Sequence, residues 1–301
     1  MKKSLIALAV LASVAGVAQA QSTVSVYGIV DAVLHKDKGE SAKLSSGGVS
    51  GSRLGFKGSE DLGGGLKANF LLEHGFNVDT GAQRAAGKSF DRQAYVGLSG
   101  GFGEFKMGNV YTAYDDIAGA TNSVFDSVLA PEGFMTSYSD YNPRPGNNLY
   151  YSTPAMGGVS GAVSTSLKEG GTAVSAFHAK YEGGPVYAGL AYQKEGETKF
   201  TRLLGSYDLG AAKLLAGYGN TKAGGEKTTD LNVGVDVPMG ANLTLSAGYA
   251  SSKTDGFEAS TGMGLGVAYS MSKRTTVYGG LFSGKNVEPK SRYGFGVKHT
   301  F

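Results

Sequence analysis

From the first residues past position 20 to the terminal Phe301, the chain repeats one pattern. Short segments in which apolar and small or polar side chains alternate are separated by turns rich in Gly, Asn, Asp, Ser and Pro. In "DLNVGVDVP" Leu231, Val233, Val235 and Val237 share one face, with Asn232, Gly234 and Asp236 on the other. "NLTLSAGY" sets Leu243, Leu245, Ala247 and Tyr249 against Asn242, Thr244, Ser246 and Gly248. "TGMGLGVAYS" opposes Met263, Leu265, Val267 and Tyr269 to small residues, and the closing "YGFGVKHTF" does the same with Tyr293, Phe295, Val297, His299 and Phe301. A period of two is the signature of a strand whose faces meet different media. About 16 such segments can be counted. Tight turns at 62–65, 183–185, 208–212 and 237–242 alternate with longer polar connections at 36–51, 78–88, 220–229, 251–260 and 284–291. The prolines fall in loops or at strand ends, where a missing backbone donor breaks no ladder.

One face of every strand is apolar and the other is mostly Gly, Ser, Asn and charge. A soluble sandwich would require bulky side chains on its inner face, whereas this inner face suits water. Apolar outside and wet inside describes a strand protein in a membrane, and lipid cannot satisfy an open sheet edge, so the sheet has to close. The expectation is an all-β, antiparallel transmembrane barrel, with Phe301 ending the closing strand toward lipid.

The first residues narrow the compartment. Lys2 and Lys3 precede an apolar run from Leu5 to Val17, and Ala18-Gln19-Ala20 has the small-x-small form of a leader-peptidase site. Residues 1–20 are therefore expected to be a cleaved export signal and residues 21–301 the mature barrel. No window of the mature chain approaches the roughly 18 apolar residues of a membrane helix. With 49 glycines and no cysteine, disulfides, thiol catalysis and cysteine-held metals are excluded. The net charge of +3 falls by two without the leader lysines, too near neutrality for a nucleic-acid partner. The four histidines form no metal pattern, "GMGLGV" precedes no helix, and there is no GxSxG elbow, so neither cofactor nor enzymatic chemistry is expected.

The inward charges are then the candidate chemistry. Parity places Arg53 and Lys57 opposite Leu54 and Phe56, and Lys67 and Glu73 opposite Phe70, Leu72 and Phe76. Parity is ambiguous for Arg92, because Phe90 and Tyr95 fall on different faces. The longest connection, residues 115–147, exceeds the about 12 to 15 residues typical of an unstructured loop. It holds Phe125, Leu129, Phe134 and Met135, too apolar for a solvated tail, so it is expected to pack on the barrel wall. It also carries Asp115, Asp116, Asp126, Glu132 and Asp140.

Five stretches carry a family likeness: "VYGIVDA" (26–32), "GSRLGFKGSEDLGGGLKANFLLEHGF" (51–76), "RQAYVGLSGGFGEFKMG" (92–108), "NNLYYSTPAMGG" (147–158) and "GFGVKHTF". Over essentially the whole mature chain the sequence resembles the Gram-negative general porins of the β-proteobacterial type. The resemblance implies a 16-stranded outer-membrane barrel, a homotrimer, and a third extracellular loop folded into the lumen as a constriction. It implies that Arg92 and Arg144 join Arg53 in a basic wall, beside the inward Lys57 and Lys67 that parity gives, and that Glu132 is the tip of the facing acidic loop, which also carries Asp126, Asp115 and Asp116. Glu73 is a further lumen residue, and Phe301 resembles the signal read by the barrel assembly machinery. Two positions depart from the family pattern: Asn109 stands where an arginine is common, and Leu71 where a polar lumen residue is usual. The expected function is passive diffusion of small hydrophilic solutes and ions, leaning weakly to anions because the bases sit on strands and the acids on a loop. The partners expected are outer-membrane lipids, the assembly machinery and the solutes. Two rivals are a substrate-specific channel, for which Tyr111, Tyr114, Tyr138 and Tyr141 could begin an aromatic ladder, and a plugged barrel acting as adhesin or anchor.

Overall fold

The computed structural model describes residues 23–169 and 171–301; the expected export signal lies outside the described residues. The strands are β1 (Thr23–Asp37), β2 (Lys43–Ser46), β3 (Arg53–Gly63), β4 (Leu66–Gly75), β5 (Gln93–Gly100), β6 (Gly103–Asn109), β7 (Asn148–Ser152), β8 (Val159–Ser166) and β9 (Val174–Gly183). They continue as β10 (Val186–Glu195), β11 (Thr198–Asp208), β12 (Lys213–Ala223), β13 (Glu226–Met239), β14 (Leu243–Thr254), β15 (Ser260–Ser270), β16 (Thr275–Lys285) and β17 (Ser291–Thr300). Each pairs antiparallel with its neighbour, and β1 pairs with β17 from Ile29↔Thr300 to Asp37↔Arg292, which closes the sheet.

The 17 strands make 16 staves. β1 pairs through residues 32–35 with β2 and through residues 23–29 with β3, so β2 and β3 are one stave interrupted by residues 47–52. That interruption sits inside what the sequence suggests is a loop at 36–51. Asp31 explains it: its carboxylate accepts from the successive amides of Gly48, Val49 and Ser50 at 3.2, 2.9 and 2.7 Å, and also from the Tyr278 hydroxyl. Three amides turned onto one carboxylate fold the segment inward.

The alternation read from the sequence holds through the barrel, with burial inverted relative to a soluble protein. Outward positions such as Val26, Val96, Leu203, Leu231 and Phe295 are exposed, while Asp31, Glu73, Arg202, Asp230 and Asn232 are buried inside. One rim carries the short turns and the other the long connections, with two exceptions. The expected loop at 220–229 is strand up to a two-residue turn, Gly224 and Gly225, both with positive φ (58° and 88°), as a type I′ hairpin requires. β10 and β11 are likewise joined by only two residues.

Between β6 and β7 residues 110–147 fold into the barrel, forming two single-turn helices, α1 (Asp115–Ala118) and α2 (Thr136–Ser139), and 3-10 turns at Val124–Asp126 and Pro131–Phe134. Its start packs Val110, Ala113, Tyr114 and Ile117, together with Tyr141 from its returning end, against Tyr150, Phe200 and Leu204 of the wall. The protein's principal apolar core is thus the contact between this loop and the barrel interior.

Candidate functional site

The loop runs along the inside of β8 to β17 and is fastened at each step. Thr112 donates to Gln193 Oε1 (2.6 Å) on β10, and Asn232 of β13 donates to the Thr121 carbonyl (2.8 Å). The Val124 amide donates to Ser246 of β14 (2.7 Å), and the Ser137 amide to Asp230 of β13 (2.7 Å). At its far end the Val128 amide donates to Gly48 O (2.8 Å), and Arg292 of β17 donates to Val128 O (3.2 Å) while pairing with Asp37. The loop tip is therefore clasped to the inward segment 47–52 and to the closing seam, and the uncovered wall is the arc from β1 through β6.

On that arc the basic groups converge. Arg92 Nε donates to Glu73 Oε1 at 2.8 Å, Arg53 Nη1 lies 3.8 Å from the same oxygen, and Tyr27 donates to Oε2 at 2.8 Å. The Tyr111 hydroxyl accepts from Arg92 (2.9 Å) and Arg144 (2.7 Å), whose guanidinium lies 4.7 Å from the ring centre. Three guanidiniums thus share one carboxylate and one tyrosine. Arg92 reaches this cluster because it precedes β5 at a bend, its amide donating to Glu73 O (3.2 Å), so strand parity does not govern it. Tyr27 and the Asp31 turn were missed from the sequence, although their shared inward parity on β1 was available as a signal; Tyr111, weighed there only as the start of an aromatic ladder, instead joins two arginines.

The remaining expected wall groups separate. Lys57 is inward and exposed, its ammonium 5.1 Å from the Tyr27 ring centre. Lys67 is inward but opposite Asp61 and Ser99 beside the short-turn rim, six residues along β4 from Glu73, or about 20 Å. It lies outside the cluster. Leu71 does face the lumen, in register with Lys57 and Tyr95. Asn109 shares the parity of outward Met107 and donates to the Phe90 carbonyl (3.2 Å), so its replacement of an arginine removes no inward charge.

The loop acids divide as sharply. Glu132, expected to face the lumen at the tip, is fully buried and accepts from the Ser123 amide and hydroxyl, both at 2.9 Å. This is a correction: its carboxylate closes the loop's own turn. Asp126 is exposed and held by Asn122 (2.8 Å) and Tyr138 (2.6 Å). Asp115 accepts from Tyr141 (2.7 Å), and Asp116 from Tyr150 (2.6 Å) with His178 at 3.6 Å. Burial, together with Asp116 beside it, raises the Asp115 carboxyl to about 6 against the pull of Tyr141, Arg144 and Arg92. Burial also raises Asp116 to about 6, although 29 % of its side chain is exposed. Tyr114 and Tyr141 are buried in the loop–wall contact, while Tyr111 and Tyr138 remain half-buried, so the four do not make one continuous ladder along an open path.

Residues 7–288 match the family described as Gram-negative porin. The chain is 36% identical to outer membrane porin protein 32 of Delftia acidovorans, over 95% of this chain and 90% of that one. It is 29% identical to the major outer membrane protein P.IB of Neisseria lactamica over the full length of both. Among solved structures, an anion-selective porin from Comamonas acidovorans superposes with a TM-score of 0.82 at 28% identity, covering 93% of this chain and 100% of that one. With the barrel, the infolded loop and the charged arc it leaves open, these matches place the chain in the Gram-negative porin family of the bacterial outer membrane.

Proposed function

We propose that this porin is a passive, anion-leaning channel for small hydrophilic solutes, working as a homotrimer and making or breaking no bond. The observation that carries the reading is a cluster of three guanidiniums holding one carboxylate: Arg53 and Arg92 lie on Glu73, and Arg144 joins Arg92 through the Tyr111 hydroxyl. Three fixed cations against one anion leave that wall positive, with Lys57 a step below. On the opposing side the acid with the best family likeness, Glu132, is withdrawn from the lumen. The field across the opening is set by wall bases against Asp115, Asp116 and Asp126, and it separates the paths of cations and anions.

The supporting relative is the anion-selective porin, similar over nearly the whole chain. The trimer is proposed from family membership. A substrate-specific ladder is disfavoured by the burial of Tyr114 and Tyr141. A plugged barrel is disfavoured because the loop lies along one wall and leaves Lys57 and Asp126 exposed.

The test is the reversal potential of single channels in a planar bilayer under a KCl gradient. The native protein is expected to give the anionic sign, and Arg53→Gln with Arg92→Gln to move it toward cations. An unchanged potential in the double variant would remove these residues from the selectivity filter; a folded barrel with no conductance would overturn the diffusion channel itself.

A further inference from the structure

The lipid-facing surface of β10–β13 carries a pattern that solute passage does not use. At the long-loop rim, Lys194, Lys199, Lys222 and Lys227 lie directly opposite one another across four successive strands. Each shares the outward parity of its strand and each is exposed. Lys253 on β14, opposite Thr229, continues the line one diagonal step on. Neighbouring staves are about 4.8 Å apart, so four ammonium-bearing chains occupy about 14 Å of rim. Like charges set directly opposite destabilise a sheet. Among the described residues the lysines that do form ion pairs are Lys43, Lys106 and Lys180, none of them in this row. The nearby carboxylates, Glu197, Glu226 and Asp255, are fewer than the lysines and are paired with none of them.

The rows beneath are ordered as well. Two residues toward the membrane, the outward positions are Tyr192, Thr201, Asn220 and Thr229, all with hydrogen-bonding groups. Two residues further they are Leu190, Leu203, Tyr218 and Leu231, exposed and apolar. On strands tilted by about 45°, each step descends about 5 Å. Cation, then hydroxyl and amide, then hydrocarbon, in layers of that depth, matches an amphiphile with phosphate on a sugar head and acyl chains below. The connections above this surface are two-residue turns, so no long loop shields it.

We propose that this face of β10–β13 binds the phosphorylated head of a glycolipid of the outer leaflet, with the lysine row on its phosphates and the Thr201–Asn220–Thr229 row on its sugar hydroxyls. A phosphate bridging adjacent lysines turns their repulsion into paired, charge-assisted bonds. A second barrel on the same face would bury ammonium groups without supplying that many anions.

The experiment is native mass spectrometry of the folded mature protein with bisphosphorylated lipid A and with the same lipid dephosphorylated. The native protein is expected to hold the phosphorylated form at least about tenfold more tightly. K199Q/K222Q should lose most of that difference, K199R/K222R should keep it, and conductance should be unchanged in both, which establishes that the barrels are folded. Equal retention of the two lipids by the native protein, or undiminished retention by K199Q/K222Q, would overturn the assignment. So would a changed oligomeric state in K199Q/K222Q with lipid binding intact, which would make the face a subunit contact.

Discussion

Glu132 and Asp115 sit in the same loop, yet their environments assign them different work. Glu132 is enclosed and bonded by Ser123, so Glu132→Gln is expected to leave the reversal potential nearly unchanged while loosening the loop, read as noisier single-channel current. Asp115 faces the basic side, and Asp115→Asn should shift the potential toward anions. Acidification should act in the same direction. Burial lifts the Asp115 carboxyl from 3.8 to about 6, so lowering the pH from about 7.5 to 5 neutralises it, and the anion preference should rise with a midpoint near 6. The linkage has a definite sign. A folded-state value above the unfolded one means that the docked loop favours the protonated acid, a stabilisation complete below about 4 and lost as the pH rises through about 6. A midpoint near the ordinary aspartate value would show Asp115 to be fully hydrated. Strain is also local to this loop: Val124, Phe125 and Asp126 have φ of 50°, 62° and 52°, a conformation uncommon for non-glycine residues and an outlier for a β-branched valine. Ser246 and the wall hold it in place.

At the scale of elements, the inward glycines of β12–β15 have a purpose that their composition conceals. In the sequence they read as a bore left unfilled for water. In the barrel, a Cβ on Gly248 would fall 1.8 Å from Ser123 Oγ, one on Gly219 1.9 Å from Ser137 Oγ, and one on Gly264 2.8 Å from Leu129 O. The glycines are the berth of the constriction loop. Gly264→Val is expected to yield a folded barrel whose loop tip is pushed into the lumen, with conductance reduced by about half or more; unchanged conductance would show that the loop is not seated there. Strand identity was legible because a half-apolar pleat announces itself through a period of two. The inward segment 47–52 was not, since "SSGGVSGS" has the composition of a surface loop and Asp31, which draws it in, lies on another strand. Arg53, Lys57 and Glu73 were legible from parity; Arg92 and Arg144 stand outside strands and required the family likeness. The burial of Glu132 was not legible, because a loop's course over a wall has no periodicity to betray it.

The whole molecule joins at β1 and β17, where Gly28 and Phe301 exchange both backbone hydrogen bonds at 3.1 Å. The Phe301 ring lies so close to Gly28 that a Cβ there would come within 2.3 Å of it. A terminal phenylalanine that served as an assembly signal would matter before folding is complete and little afterwards. Phe301→Ala is expected to lower the amount of barrel inserted in cells while leaving the conductance of the purified protein unaltered; normal insertion would remove the residue from that role. The clasp of the loop tip has a consequence for the order of construction. Val128 is gripped by Gly48 from the β1 side and by Arg292 from β17, two halves that come together only when the seam is sewn. The grip on the loop tip is thus complete only in the closed barrel. A barrel caught before closure would be an unselective leak, and cells that slow its insertion should become transiently permeable to solutes that the finished porin excludes.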